Sequence, residues 1–231
     1  MKKNLPRRNP PSPSILGVSE LPPEQGIGGS ESPGEETSAR PGESRKLERV
    51  GGKLLVATPF FSLRNERFRH PDGGTTQRDL VIHPGSVAIV AHDGSKVLMV
   101  RQPREAVGEA DVLEIPAGTR DRERESALEC AQRELAEETG RAAGDWQELR
   151  TIYTSPGFTS EAVVLFMATE LYEIEQPERP EEHLEVVEFS LSDLDYLIEN
   201  CRDAKSVIGL SILRERVEAP GREAWRGDSH A

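Results

Sequence analysis

The run from Ser126 to Gly140 reads as one capped helix, and the carboxylates on it restrict what the surrounding chain can do. Ser126 with Glu129 three residues on is a capping box, which starts the helix, and Gly140 stands just past its end. At about 100° per residue, Leu128, Ala131, Leu135 and Thr139 share an apolar face. Glu134 and Glu138 lie four apart at the border of that face, with Glu137 a little further round. Glu129, Arg133 and Ala136 fall on the solvated side. Like charges at this spacing destabilise a helix by roughly 0.2–0.5 kcal/mol per pair, and a place beside the apolar stripe adds desolvation cost. A dication would remove both penalties, because clustered carboxylates are the hard oxygen ligands that Mg²⁺ takes. An ordinary acidic surface helix would carry the same residues. Helix geometry alone leaves both readings open.

Around this helix the chain alternates short strands with two later helices. Lys53–Ala57 and Phe60–Leu63 are short apolar runs, Asp72-Gly73-Gly74 is a turn, and Asp79–Ile82 follows it. Ser86–Ala91 reads as a buried strand. His92-Asp93-Gly94-Ser95 then reads as a hairpin turn, with Lys96–Val100 as the return strand. Strands are expected near 147–153, 162–169 and 185–189, and helices over about 191–200 and 204–217. This mixture predicts an α/β (mixed α+β) layered domain over residues 46–218, with 51–85 as a small N-terminal β subdomain. Residues 1–45 are dense in Pro, Gly, Ser and Glu and are expected to be a disordered tail, and 219–231 a flexible C-terminal tail.

Composition narrows the function classes. The 231 residues carry a formal net charge of -12, which gives no general attraction for nucleic acid phosphate. A phosphate-bearing small molecule would need metal ions to offset that charge locally. Cys130 and Cys201 are too few for a disulfide framework and lack metal-ligand spacing, so a reduced, cytoplasmic setting is expected. No run is long and apolar enough for a signal core or a membrane span.

Gly118, Glu125 and the run Arg133-Glu134-Leu135-Ala136-Glu137-Glu138-Thr139-Gly140 resemble the Nudix box. From Glu125 to Gly140 the spacing matches. Six residues rather than five separate Gly118 from Glu125, which implies a one-residue bulge before the helix, and Arg141 stands where an apolar residue is usual. The resemblance implies a Nudix α/β/α sandwich. It implies metal ligation by Glu134, Glu137 and Glu138, with the Ala117 carbonyl assisting. The ion would be Mg²⁺, with Mn²⁺ as an alternative. Arg133 and Glu125 resemble the pair that ties the loop to the helix and would orient the ligands.

Flanking segments resemble the ADP-ribose pyrophosphatase branch. Glu114-Ile115-Pro116-Ala117-Gly118 matches its lead-in. Arg101-Gln102-Pro103-Arg104 is similar to its Arg-Gln-Tyr-Arg stretch, with Pro103 in place of tyrosine. A proline sixteen residues past the box glycine, Pro156, followed by Gly157-Phe158 and then Glu161, is that branch's mark. Lys205–Leu210 resembles its C-terminal helix. Singly, each is also a generic turn or a solvated basic residue; in order, they imply substrate contacts by Arg101, Arg104, Glu114, Pro156 and Glu161. An arginine there could fork onto a phosphate. The acidic loop before residue 185 supplies a metal ligand or general base in the branch; Glu182 aligns best and Glu181 second, while a plain solvated loop is the alternative.

The resemblance therefore implies hydrolysis of a nucleoside diphosphate sugar, ADP-ribose to AMP and ribose 5-phosphate first. A UDP-sugar, GDP-mannose, or a non-catalytic ADP-ribose sensor are the rivals. It also implies a homodimer that exchanges the 51–85 sheet. Leu54, Leu55, Val56, Phe60 and Phe61 are apolar enough to need a covering surface.

Overall fold

The strand Ser86–Ala91 (β4) organises the domain because both of its faces are dry: all six residues are buried. Val87, Ile89 and Ala91 point into one apolar layer and Ala88 and Val90 into another, as the period of two requires. The computed structural model describes residues 47–175 and 184–219. Of the two units into which the chain divides, Met1–Ser44 and Arg45–Ala231, the second holds everything described below. The expected N-terminal tail and nearly all of the expected C-terminal tail lie outside the described residues. So do Glu181 and Glu182.

β4 pairs in parallel with β9 (Ala162–Glu173) and antiparallel with β7 (Ala117–Thr119). β8 (Arg141–Tyr153) closes a four-stranded sheet in the order β7-β4-β9-β8. A second sheet has the order β10 (Glu185–Ser190), β5 (Lys96–Arg104), β6 (Glu109–Glu114). The helix α1 (Ala127–Thr139) packs Cys130, Ala131 and Leu135 onto Val87, Ile89 and Phe166. On the other side α2 (Leu194–Asn200) and α3 (Ala204–Glu218) place Leu194, Leu197, Leu210 and Leu213 against Val90, Met99, Ile115 and Leu165. α3 lies close because residue 209 is glycine: a Cβ there would stand 2.7 Å from Val90 Cγ2. The result is the expected α/β/α arrangement, with helices on both faces of the strands.

A third sheet, β1 (Glu48–Ala57), β2 (Ser62–Arg69) and β3 (Thr75–Ile82), forms the expected N-terminal subdomain. It joins the body through β3. Val81 N–H donates to the Phe158 carbonyl at 2.8 Å, and Ser160 N–H donates to the Val81 carbonyl at 2.9 Å.

The structure corrects three expectations. The turn at 92–95 forms, with Asp93 N–H bonding the Lys96 carbonyl, but β4 and β5 do not form a hairpin ladder. Both edges of β4 are occupied by β7 and β9, so β5 leaves after one bridge, His92 to Val97, and pairs with β6 and β10. Phe60 and Phe61 stand in the turn before β2 rather than in a strand, held by Thr58. The helix over 191–200 begins with a 3₁₀ turn, Leu191–Asp193.

Candidate active site

α1 begins and ends as its sequence requires. The Ser126 hydroxyl accepts from Glu129 N–H at 3.2 Å, Glu129 accepts from Ser126 N–H at 2.8 Å, and Gly140 takes the left-handed conformation at φ 64°. These caps hold the phase of the helix, and the phase puts Glu134 and Glu138 inward, each 4% exposed. Two expected positions on the helix differ. Leu128 is 39% exposed and Cys130 takes its place in the apolar layer. Arg133 is not solvated, because carboxylates draw it in until its side chain is 12% exposed.

Arg133 is the hub of the site. Its Nε and Nη2 donate to the two oxygens of Glu125 at 2.8 and 3.0 Å, and its Nη1 to Glu134 at 2.5 Å and Glu137 at 3.1 Å. The hydrogen bond to Glu125 outweighs burial and, with the charge of Glu134, raises the Arg133 pKa far above its ordinary value. The same bond holds the Glu125 carboxyl below its ordinary range. Glu125 reaches Arg133 despite the extra residue in the loop. The slack is taken up next to it, where Arg124 sits in the left-handed region at φ 66°.

β7 meets α1 without a gap. A Cβ on Gly118 would lie 1.9 Å from Glu134 Cδ, so a glycine is required there. One residue earlier, Ala117 N–H donates to Glu138 Oε2 at 3.0 Å. Glu134, Glu137 and Glu138 line one cavity of about 1050 Å³. Its other walls are Ala117–Arg122, the turn Thr58–Ser62 of the N-terminal sheet, and Ile82–Pro84. Among the described residues no three His, Cys, Asp or Glu side chains are already arranged as a ligand cluster; Arg133 sits between Glu134 and Glu137 and bonds both. The donor set nevertheless fits a hard divalent cation, with three carboxylates from one helix on a cavity wall and a strand backbone pressed against them.

The NUDIX domain family matches residues 82–208, more than half of the chain. The chain belongs to the Nudix family. Within it the chain falls in the ADP-ribose pyrophosphatase-like branch. It is 38% identical over 177 residues to an ADP-ribose pyrophosphatase of Bacillus subtilis, covering 74% of this chain and 95% of that protein. It is 27% identical over 190 residues to a GDP-mannose pyrophosphatase of Citrobacter koseri, covering 74% and 96% respectively. A crystal structure described as an ADP compounds hydrolase shares the fold, with a TM-score of 0.65 at 24% identity over 78% of this chain and 99% of that one.

Of the Nudix-box residues, Gly118, Arg133, Glu134, Glu137 and Glu138 line one cavity, and Arg104 joins them on its wall; Glu125 stands behind it, bonded to Arg133. Arg104 is fixed there by two hydrogen bonds to Glu114, at 2.6 and 2.8 Å. Glu114 is itself buried. Burial pushes its carboxyl upward, but Arg104 and Lys205, whose Nζ is 2.6 Å away, outweigh this and hold it below the ordinary range. Arg101 lies elsewhere, paired with Asp111 at 3.0 Å beside a smaller hollow of about 410 Å³. Pro156 sits in the turn that Phe158 N–H closes onto the Ser155 carbonyl. Glu161 accepts from the Ser86 and Thr154 hydroxyls, both at 2.8 Å, and stands 3.9 Å from His83 Nδ1. Neither Pro156 nor Glu161 is on the main cavity wall, but His83 is. Sequence reading missed His83, Arg120 and Arg122. Nothing in their local pattern sets them apart; it takes β3, β7 and α1 side by side to show them.

Proposed function

We propose that this chain hydrolyses the diphosphate bond of a nucleoside diphosphate sugar, and that ADP-ribose, cleaved to AMP and ribose 5-phosphate, is the first substrate to test. The observation that carries the reading is the buried carboxylate pair Glu134 and Glu138, set against the Gly118 backbone in a cavity large enough for a nucleotide sugar. Two relatives support the class, one named for ADP-ribose and one for GDP-mannose. Glu134, Glu137, Glu138 and the Ala117 carbonyl would hold Mg²⁺, or Mn²⁺ in its place. Bound there, the ion would offset diphosphate charge and lower the pKa of a coordinated water. Arg133 and Glu125 keep the carboxylates in position. Arg104, backed by Glu114, presents a guanidinium to the cavity; Arg101, Pro156 and Glu161 would act from its surroundings. Glu182, with Glu181 second, is proposed to accept the proton of the attacking water; both lie outside the described residues.

The working unit is proposed to be a homodimer acting in the cytoplasm on a small molecule, without nucleic acid. No helix among the described residues is long and apolar enough to cross a membrane. The test is a substrate panel with Mg²⁺ that reads released nucleoside monophosphate. AMP from ADP-ribose, faster than release from GDP-mannose or UDP-glucose, supports the reading. Binding of ADP-ribose with no release would make the domain a sensor instead. Absence of both binding and release across the panel would overturn the class.

A further inference from the structure

We propose that Arg120 is the anion receptor of the cavity, its guanidinium taking a non-bridging oxygen of the substrate's diphosphate. The inference rests on the nucleotide-sugar reading above and names a residue that reading does not use. Arg120 follows β7 directly. Gly118 faces Glu134, and two residues further the period of a strand returns Arg120 to that side. Its position is anchored. Arg120 N–H donates to the Gly85 carbonyl at 3.1 Å, and its Cδ lies 3.9 Å from where a Cβ on Gly85 would stand.

What distinguishes Arg120 is that no acceptor among the described residues reaches its Nε. That Nε is buried, and among the described residues the guanidinium makes no ion pair. The other arginines on the cavity wall are engaged. Arg104 is held by Glu114, Arg122 by Glu137, and Arg133 by Glu125, Glu134 and Glu137. Arg120 is half-buried, and a buried N–H without an acceptor is destabilising, so contacts among the described residues give no account of its Nε. A ligand does. The group must be anionic to match the charge. A phosphate offers the paired oxygens that a guanidinium fork fits, where a sugar hydroxyl would leave the charge unmet. Asp121, Glu134, Glu137 and Glu138 also line the cavity, so a cation that no described carboxylate engages is what a diphosphate would need there.

The test titrates the full chain, Arg120→Gln and Arg120→Lys with two probes by calorimetry in Mg²⁺: α,β-methylene ADP-ribose and inorganic pyrophosphate. Melting temperatures are measured alongside. Arg120→Gln is expected to weaken both probes by about 10- to 100-fold, the loss typical of a charge-assisted hydrogen bond. Arg120→Lys should recover part of that loss through its charge. The melting temperature should stay level or rise, because an unpartnered buried donor is gone. Wild-type affinity for both probes in both variants would overturn the proposal. So would a fall of several degrees in melting temperature with binding unchanged, which marks a structural role. If the wild type binds pyrophosphate but not the nucleotide analogue, the nucleotide-sugar reading fails and the pyrophosphate arm alone decides Arg120. If the wild type binds neither, both are overturned.

Discussion

Glu138 illustrates how much rests on single side chains here. It is buried on the cavity wall and tied to the β7 backbone at Ala117. Glutamine keeps the shape and can still accept that hydrogen bond, but it removes a charge. Glu138→Gln is therefore expected to fold normally, with an unchanged circular dichroism spectrum, and to lose roughly 100-fold or more in turnover. Near-normal turnover at saturating Mg²⁺ would remove Glu138 from the proposed metal site. Cys130, about two turns earlier on the same side of the helix, is expected to be inert. Burial pushes its thiol up to about 12, so the reactive thiolate is scarce at ordinary pH. In folded protein its alkylation at pH 8 should be about 10³-fold slower than in denatured protein, and should keep rising with pH beyond 9 instead of levelling off. Rapid labelling of the native protein at pH 8, followed by mass spectrometry of the peptide, would contradict this.

At the scale of elements, β7 and α1 work as one piece. Gly118→Ala would drive a methyl into Glu134. Either the strand moves or the carboxylate does, at a cost of about 1–3 kcal/mol. We expect a lower melting temperature together with a disproportionate loss of kcat, and a variant with wild-type values of both would show that the contact is loose. The extent of α1 was legible in sequence because its signals are local: a capping box, a 3.6-residue apolar period and a glycine stop all agree on one helix. The carboxylate pair was legible for the same reason. The partnership of β5 was not, since a tight turn after β4 says that the chain reverses but not whether the edge of β4 is free. β2 was missed past its first residues because Arg64, Asn65, Glu66 and Arg67 look like a loop. Ladders to β1 and β3 on both edges hold it, and Arg49 and Arg64 pair the buried Glu66. Helical phase alone puts Arg133 on the solvated face; Glu125 from the preceding loop, with Glu134 and Glu137 of the same helix, draws it in.

At the scale of the whole molecule, the N-terminal sheet leaves an apolar surface on the single chain. Leu54 is 51% exposed, and Leu55, Val56, Phe60 and Phe61 are exposed with it. A patch of this kind marks an interaction site, and a second copy of the chain is the partner proposed. Light scattering at micromolar concentration should give about twice 25.5 kDa. Leu54→Asp should shift it toward the monomer. Phe60 and Phe61 are poorer probes, because they also line the cavity and a charge there would act on substrate directly. A wild-type mass near 25.5 kDa with full activity would exclude the dimer.

β4 separates two properties that substitutions in one short strand would ordinarily mix. Its odd-numbered residues, Val87, Ile89 and Ala91, support α1 and with it the carboxylates; its even-numbered Ala88 and Val90 support α2 and α3. Selection can therefore act on neighbouring codons for different ends. A saturation library of residues 87–91, scored for hydrolysis and for heat resistance, should show tolerance alternating with parity. Conservative changes at 89 would alter turnover out of proportion to melting, and those at 90 would do the reverse. Scores that rise and fall together at every position would mean that the two layers respond as one. If they alternate, the lineage can adjust its working temperature without retuning its chemistry.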